Sequence, residues 1–341
     1  MSFGTARRLR ILTWHVHGSY LYYLSHIPHD LYVPVRPGRP EGYGGRAGTL
    51  RWPENLREVP AECVRELALD CVIYQSQRNW RIDREEILSQ AQQRMPRVYI
   101  EHDPPREHAT DTRHPVDDPD TLLVHVTPFN ALMWDSGRTP LRVIDHGVTV
   151  PDGVRYRGDL ARGAVVVNGL RSRGRRLGAD VFDAARREVP LDLAGIGSEE
   201  DGGAGDLPRE ALARFVAARR LFFNPIRYTS MGLAVCEAMM LGAPVVGLAT
   251  TEMAMAVESG VSGFVDTDVR RLIDHMRRLL GDRAEARRLG EGARRYALER
   301  FHIDRFVRAW DEALAEVTGI RRGLVRPTPA VTDIDAAGVT A

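Results

Sequence analysis

Residues 221–265, LFFNPIRYTSMGLAVCEAMMLGAPVVGLATTEMAMAVESGVSGFV, hold the densest chemical signal in the chain. The stretch reads as a strand, a polar turn carrying Pro225 and Gly232, and a helix starting near Gly232. A helix that begins after a glycine turn presents unpaired N–H groups and a partial positive charge, which suits an anion. Glu237 falls about one turn into that helix, where a carboxylate can accept hydrogen bonds from vicinal hydroxyls such as those of a ribose. A phosphate and a ribose held together make a nucleotide. The other reading of the same residues is an ordinary crossover helix with a solvated glutamate.

Any anion here has few partners to choose from. The 341 residues include 47 basic ones, and every one is arginine. The absence of lysine excludes a Schiff-base lysine, a P-loop lysine and a lysine general base. With 46 acidic residues the formal charge is +1, so no global field draws nucleic acid or an anionic membrane. Arginines cluster in the turn Gly169-Leu-Arg-Ser-Arg-Gly-Arg-Arg176, without the aromatic interleaving of a nucleic-acid surface.

A second group of candidates lies in the first half. His15-Val-His17 ends an early apolar strand, and His102-Asp103 ends another. With His125 and His146 these residues suggest a metal-dependent hydrolase built on a barrel, although residues 221–318 do not continue a barrel pattern. Cys63, Cys71 and Cys236 are odd in number and lack C-x-x-C spacing, which points to a reducing, cytoplasmic setting. No apolar run of ~18 residues is present, and the N-terminal ILTW is too short for a signal-peptide core. Contact with the inner face of a membrane stays open.

The elements that must position these residues form two series of short strands alternating with helices, which predicts parallel sheets. The first series has strands near 8–14, 29–35, 69–75, 97–101, 122–126 and 142–144, with helices at 19–24 and 83–94. Residues 36–50, rich in Gly, Pro and Arg, read as a mobile loop. The second has strands near 164–167, 191–194, 221–224, 244–249 and 264–265. Its helices are expected at 179–188, 208–219, 232–241, 269–280, 283–300 and 303–317, the last crossing back to the first half. Residues 151–163 read as a linker. The expected domains are 1–155, 156–320 and a disordered tail, 321–341.

Residues 221–265 resemble the donor-site signature of the retaining glycosyltransferases of GT-B fold, the large bacterial family 4 type of group 1. Pro225, Gly232, Leu233, Glu237, Ala238, Met239, Gly242, Pro244, Val245 and Val246 fall in register with P-S-x-x-E-x-F-G-x-x-x-x-E-A-M-A-x-G-x-P-V-V. Glu258-Ser-Gly-Val-Ser-Gly-Phe-Val265 resembles the turn that follows, and the resemblance covers about 160–318. It implies an α/β protein of two Rossmann-like doubly wound domains facing a cleft, the first binding the acceptor and the second the donor. The implied reaction moves a hexosyl group from a UDP-, GDP- or dTDP-linked donor to a hydroxyl of a glycan, lipid or small molecule. The configuration is retained and no cofactor is needed beyond the donor itself.

The resemblance also assigns roles. Glu237 would bind the ribose, and Met231, Gly232 and Leu233 the diphosphate, together with Arg171, Arg173 and Arg176. His102 would touch the donor sugar, and Gly18 would lie against donor phosphate and acceptor. His146-Gly147-Val148 would close the first domain. The family's first glutamate, eight positions before the second, falls on Thr229, so the sugar-reading half of the motif is altered. A catalytically silent nucleotide-sugar-binding relative is therefore the alternative, ahead of the His15/His17 hydrolase. No acid matches a nucleophile position, which favours front-face transfer with the leaving diphosphate accepting the proton. No D-x-D appears in a loop suited to a metal, so no metal ligand is expected.

Overall fold

In the computed structural model, which describes residues 7–48 and 50–320, the chain forms two fully parallel sheets. The expected tail lies outside the described residues. The first sheet comprises β1 (Arg10–Thr13), β2 (Asp30–Val35), β3 (Leu56–Pro60), β4 (Cys71–Tyr74), β5 (Arg97–Glu101), β6 (Thr121–His125) and β7 (Leu141–Val143). Its seven strands run in the order β3-β2-β1-β4-β5-β6-β7. The second comprises β8 (Leu160–Val166), β9 (Leu191–Ala194), β10 (Arg219–Asn224), β11 (Val245–Leu248) and β12 (Gly263–Asp266), ordered β12-β11-β10-β8-β9. Each order reverses direction once, between β1 and β4 and between β8 and β10. Ligands of such sheets sit outside the carboxyl ends of the strands at that reversal.

Helices of the first half are α1 (Gly18–Leu24), α2 (Arg84–Ile87), α3 (Gln90–Gln93) and α4 (Pro128–Met133). Those of the second are α5 (Ala179–Arg186), α6 (Arg209–Ala218), α7 (Leu233–Leu241), α8 (Met253–Ala256), α9 (Val269–Gly281), α10 (Arg283–Arg300) and α11 (Ile303–Thr318). The central strands are buried on both faces, as CVIY of β4 and TLLVH of β6 illustrate. Helix α7, LAVCEAMML, is apolar nearly all round because α6, α10 and the sheet enclose it.

Several local expectations are corrected. The single helix at 83–94 is divided: a π-helical turn at Asn79–Asp83 leads into α2, Leu88 turns extended, and Ser89 starts α3 with a capping box to Gln92. Strand β3 and helix α4 were not anticipated, and β8 begins at Leu160, inside the expected linker. Residues 36–48 have neither strand nor helix, yet they are anchored rather than loose. Tyr43 is fully buried and its hydroxyl donates to Asp83 at 2.8 Å, while His15 Nδ1 donates to the Gly45 carbonyl at 2.6 Å.

Helix α11 packs on the first half of the chain. Phe306, Trp310 and Leu314 are fully buried, and Phe306 meets Tyr20 of α1 edge to face. Arg300 pairs with Asp145, and Arg305 donates to the carbonyls of Asp145 and His146. Gly147 permits this approach, since a methyl group there would stand 2.1 Å from Cβ of Phe306. Gly147→Ala is therefore expected to destabilise the protein by about 1–3 kcal/mol through overpacking. Urea unfolding checks this, and an unmoved midpoint would contradict the close contact.

Candidate functional site

The carboxyl ends of β1, β4 and β5 carry the first-half candidates. Gly18 opens α1, whose N-cap His17 makes no side-chain cap. The His17 and His102 rings meet edge to face at 4.4 Å, and Tyr20 meets His102 at 4.6 Å. Gln75, just past β4, donates its amide to Thr13 Oγ1 and the Trp14 carbonyl, which turns its oxygen toward His102 Nε2 at 3.2 Å. Burial holds His102 well below its ordinary pKa, and neighbouring His17 adds to the effect. Gln75 thus fixes a neutral His102, a role the sequence did not suggest. Its position at the strand end beside the reversal was the available signal.

In the second half the turn before α7 approaches the same place. Thr229 Oγ1 donates to Asp103 Oδ1 at 3.1 Å, so residue 229 abuts the His102-Asp103 strand end. His146 Nε2 donates to the Met231 carbonyl at 2.9 Å. Gly232 caps α7 in an extended conformation with no side-chain cap, and nothing lies within 4 Å of where its Cβ would be. The start of this helix, with Leu233 as its first residue, thus has open space on the Cα side of Gly232.

The arginine turn divides into two sets. Arg171 is engaged by Asp183 at 2.6 Å and by Asp201, so it is withdrawn as an anion ligand. Arg175 pairs with Asp180, as does Arg227. Arg173 and Arg176 have no carboxylate within ion-pair distance among the described residues. The Arg176 carbonyl accepts from Arg227 N at 3.0 Å and Tyr228 N at 3.2 Å, which ties this turn to the one preceding α7. Desolvation lowers the Arg176 pKa, with nearby Arg106 acting in the same direction. Arg173 likewise acts on His17. Half-buried Arg176 and exposed Arg173, neither held in an ion pair, can serve an anion, although the Asp103 charge also acts on Arg176.

Glu237 is half-buried and its Oε1 accepts from the Tyr23 hydroxyl at 2.6 Å, a partner on α1 that sequence spacing could not reveal. Burial pushes its carboxyl up, while Tyr23 and then Arg209 oppose the shift. Arg209 donates to the Thr149 carbonyl at 2.6 Å and stacks on Tyr22. Glu237 also lines a small pocket with Val166, Leu212, Ala213 and Ala234, beside the end of β8.

The histidines are not gathered as a metal hydrolase would need. Two open sheets replace the barrel, and among the described residues no three His, Cys, Asp or Glu side chains group to hold a metal. His15 is committed to Gly45, His146 to Met231, and His125 lies buried beside Ser136 at 3.5 Å.

Comparison with known proteins agrees with this architecture. Residues 204–282 match the family described as Glycosyl transferases group 1. A D-inositol 3-phosphate glycosyltransferase from Nocardioides is 38% identical over 119 residues, 31% of this chain and 26% of that protein. The chain thus spans about a quarter of the length of this curated relative. In structure it is similar to sucrose-phosphate synthase from Thermosynechococcus elongatus, with TM-score 0.66 and 16% identity over 92% of this chain and all of the other. Anabaena HepE in complex with UDP-glucose gives TM-score 0.65 and 16% identity over 91% of this chain and all of that one. The fold is GT-B, and residues 204–282 carry the group 1 signature.

Two of the buried histidines have a measurable consequence. Burial lowers His125 to about 3 and His146 to about 4, against 6.5 when exposed. The native state then binds fewer protons than the unfolded chain below pH ~6.5, so this stability is present above that value and lost as pH falls. Between pH 7.5 and 5.5 the loss is about 1.4 kcal/mol per histidine. Urea titrations at the two pH values should show it, with a smaller drop in His125→Gln. An equal drop in that variant would remove His125 from the account.

Proposed function

We propose that this chain, a GT-B protein bearing the group 1 glycosyltransferase signature, transfers a hexosyl group from a nucleotide-sugar donor to an acceptor hydroxyl. The observation that carries the reading is that the arginine turn is tied to the turn before α7, with the Arg176 carbonyl accepting from Arg227 N and Tyr228 N, while Gly232 at the helix start has open space beside it. The two arginines and the N–H groups near Met231, Gly232 and Leu233 would bind the diphosphate from one side, and Gly18 would face it from the other. The ribose hydroxyls would reach Glu237 by displacing the Tyr23 hydroxyl. Relatives give the same direction: HepE has been captured with UDP-glucose, and the Nocardioides relative is itself a glycosyltransferase.

Chemistry at this site is mainly electrostatic and positional. As the glycosidic bond to the diphosphate breaks, negative charge grows on the leaving oxygen, and Arg173, Arg176 and the helix N–H groups stabilise it. The anomeric carbon becomes oxocarbenium-like, and the acceptor oxygen enters on the face the diphosphate leaves, which retains configuration. The diphosphate oxygen takes the acceptor's proton. Neutral His102, held by Gln75, stands beside the sugar without adding positive charge near the cationic carbon. Because arginines supply the counter-charge, transfer is expected to proceed without a divalent metal.

The acceptor is a glycan, lipid or small molecule, and the setting is cytoplasmic, including the inner membrane face. No helix among the described residues is long and apolar enough to cross a membrane. The second reading, binding without turnover, is favoured by Thr229 standing where the family has an acid.

Isothermal titration with UDP, GDP and dTDP tests the binding reading. Glu237→Ala should weaken the preferred nucleotide by about 2–3 kcal/mol, the worth of charged hydrogen bonds in a sheltered site. Unchanged affinity would take Glu237 out of the site. Release of nucleotide from a sugar donor in the presence of EDTA separates the remaining readings. Binding with no turnover on any acceptor favours the silent relative, and activity restored only by a divalent ion overturns metal independence.

A further inference from the structure

We propose that Asp103 is the sugar-reading acid of this site, positioned across the two sheets by Thr229. The inference rests on the nucleotide-sugar reading above. Thr229 Oγ1 donates to Asp103 Oδ1 at 3.1 Å, and Arg106 pairs with Oδ2. The Asp103 main chain is pinned on both sides: its N–H donates to Glu101 Oε1 at 2.9 Å, and its carbonyl accepts from Trp134 Nε1 at 2.8 Å. The carboxylate therefore cannot swing away without breaking contacts in both halves of the molecule.

Its surroundings fit recognition of a sugar. His102 precedes it in the chain, and its charge acts on His17 and on Arg176. It thus neighbours a strand-end histidine and Arg176, one of the two cations assigned to the diphosphate, where the transferred sugar would lie. The side chain is 24% exposed, enough for contact with a ligand and too little for full hydration. Each carboxylate oxygen has two acceptor positions, and Thr229 and Arg106 occupy one apiece. The remaining two match a pair of adjacent hydroxyls, so the preferred donor is a sugar with a free vicinal diol rather than one deoxygenated there. A carboxylate restrained by arginine is a weak nucleophile, so the role is recognition and not covalent attack.

The test compares bare nucleotides (UDP, GDP and dTDP) with UDP-glucose, UDP-galactose, GDP-mannose and dTDP-rhamnose by calorimetry on the full chain. In Asp103→Asn the best nucleotide should bind within about twofold of the unmodified protein, while its best sugar conjugate loses about tenfold or more. Thr229→Val, which keeps the acid but removes its anchor, should lose less, about threefold, in the same conjugate only. Equal losses for nucleotide and conjugate, or no loss in either variant, would overturn the role of Asp103. Failure of the unmodified protein to bind any of the three nucleotides would instead overturn the nucleotide-sugar reading, and this inference with it. Thermal unfolding of each variant separates lost recognition from lost folding.

Discussion

The site exists because two sheets that end in separate half-sites are held together by the last helix and the residues that lead into it. Arg300 pairs with the Asp145 carboxylate, Arg305 holds the carbonyls of Asp145 and His146, Val148 N donates to the Phe301 carbonyl at 2.9 Å, and α11 buries Phe306, Trp310 and Leu314 against the first half. His29 meets Asp311 at 3.0 Å in the middle of the same helix. Neither sheet alone joins a cation-rich turn to a histidine-bearing strand end. The contacts that cross the site, Tyr23 to Glu237, Asp103 to Thr229 and His146 to Met231, all depend on this placement.

A chain whose basic residues are all arginine must also decide which of them meet ligand and which hold the fold. The decision is made by carboxylates. Asp183 and Asp201 take Arg171, Asp180 takes Arg175 and Arg227, and Arg220 is buried on the carbonyls of Gly158 and Leu280. What is left beside α7 is Arg173 and Arg176, whose planar donor forks suit phosphate oxygens better than a lysine point charge would. Desolvation acts on Arg176, so an incoming diphosphate relieves a cost already present there in the free protein.

The second half was the more legible one. Strands β10 and β11 and helix α7 are apolar and bounded by Pro225, Gly232, Gly242 and Pro244, so periodicity and breakers agree. Strand β3, LREVP, escaped because this edge strand buries only Leu56 and Val59, three residues apart, and ends in proline. The start of β8, LAR, is exposed and sits beside glycines, and so resembled a linker. Within the site, Glu237, His102, Gly18 and Thr229 were legible as positions but their partners were not. Tyr23 lies 214 residues from Glu237 and Asp103 lies 126 from Thr229, and no local pattern encodes contacts at that separation. The same limit made Arg171 indistinguishable from Arg173, since the aspartates that claim it come from α5 and from the turn after β9.

The central claim is that one anion site is built jointly by the two halves. A crystal structure of the protein with a bound nucleoside diphosphate tests it most directly. The account predicts the diphosphate against Arg173, Arg176 and the N–H groups at 231–233, with Gly18 opposite and the ribose on Glu237 in place of the Tyr23 hydroxyl. A diphosphate bound elsewhere, with Tyr23 still hydrogen-bonded to Glu237, would contradict it.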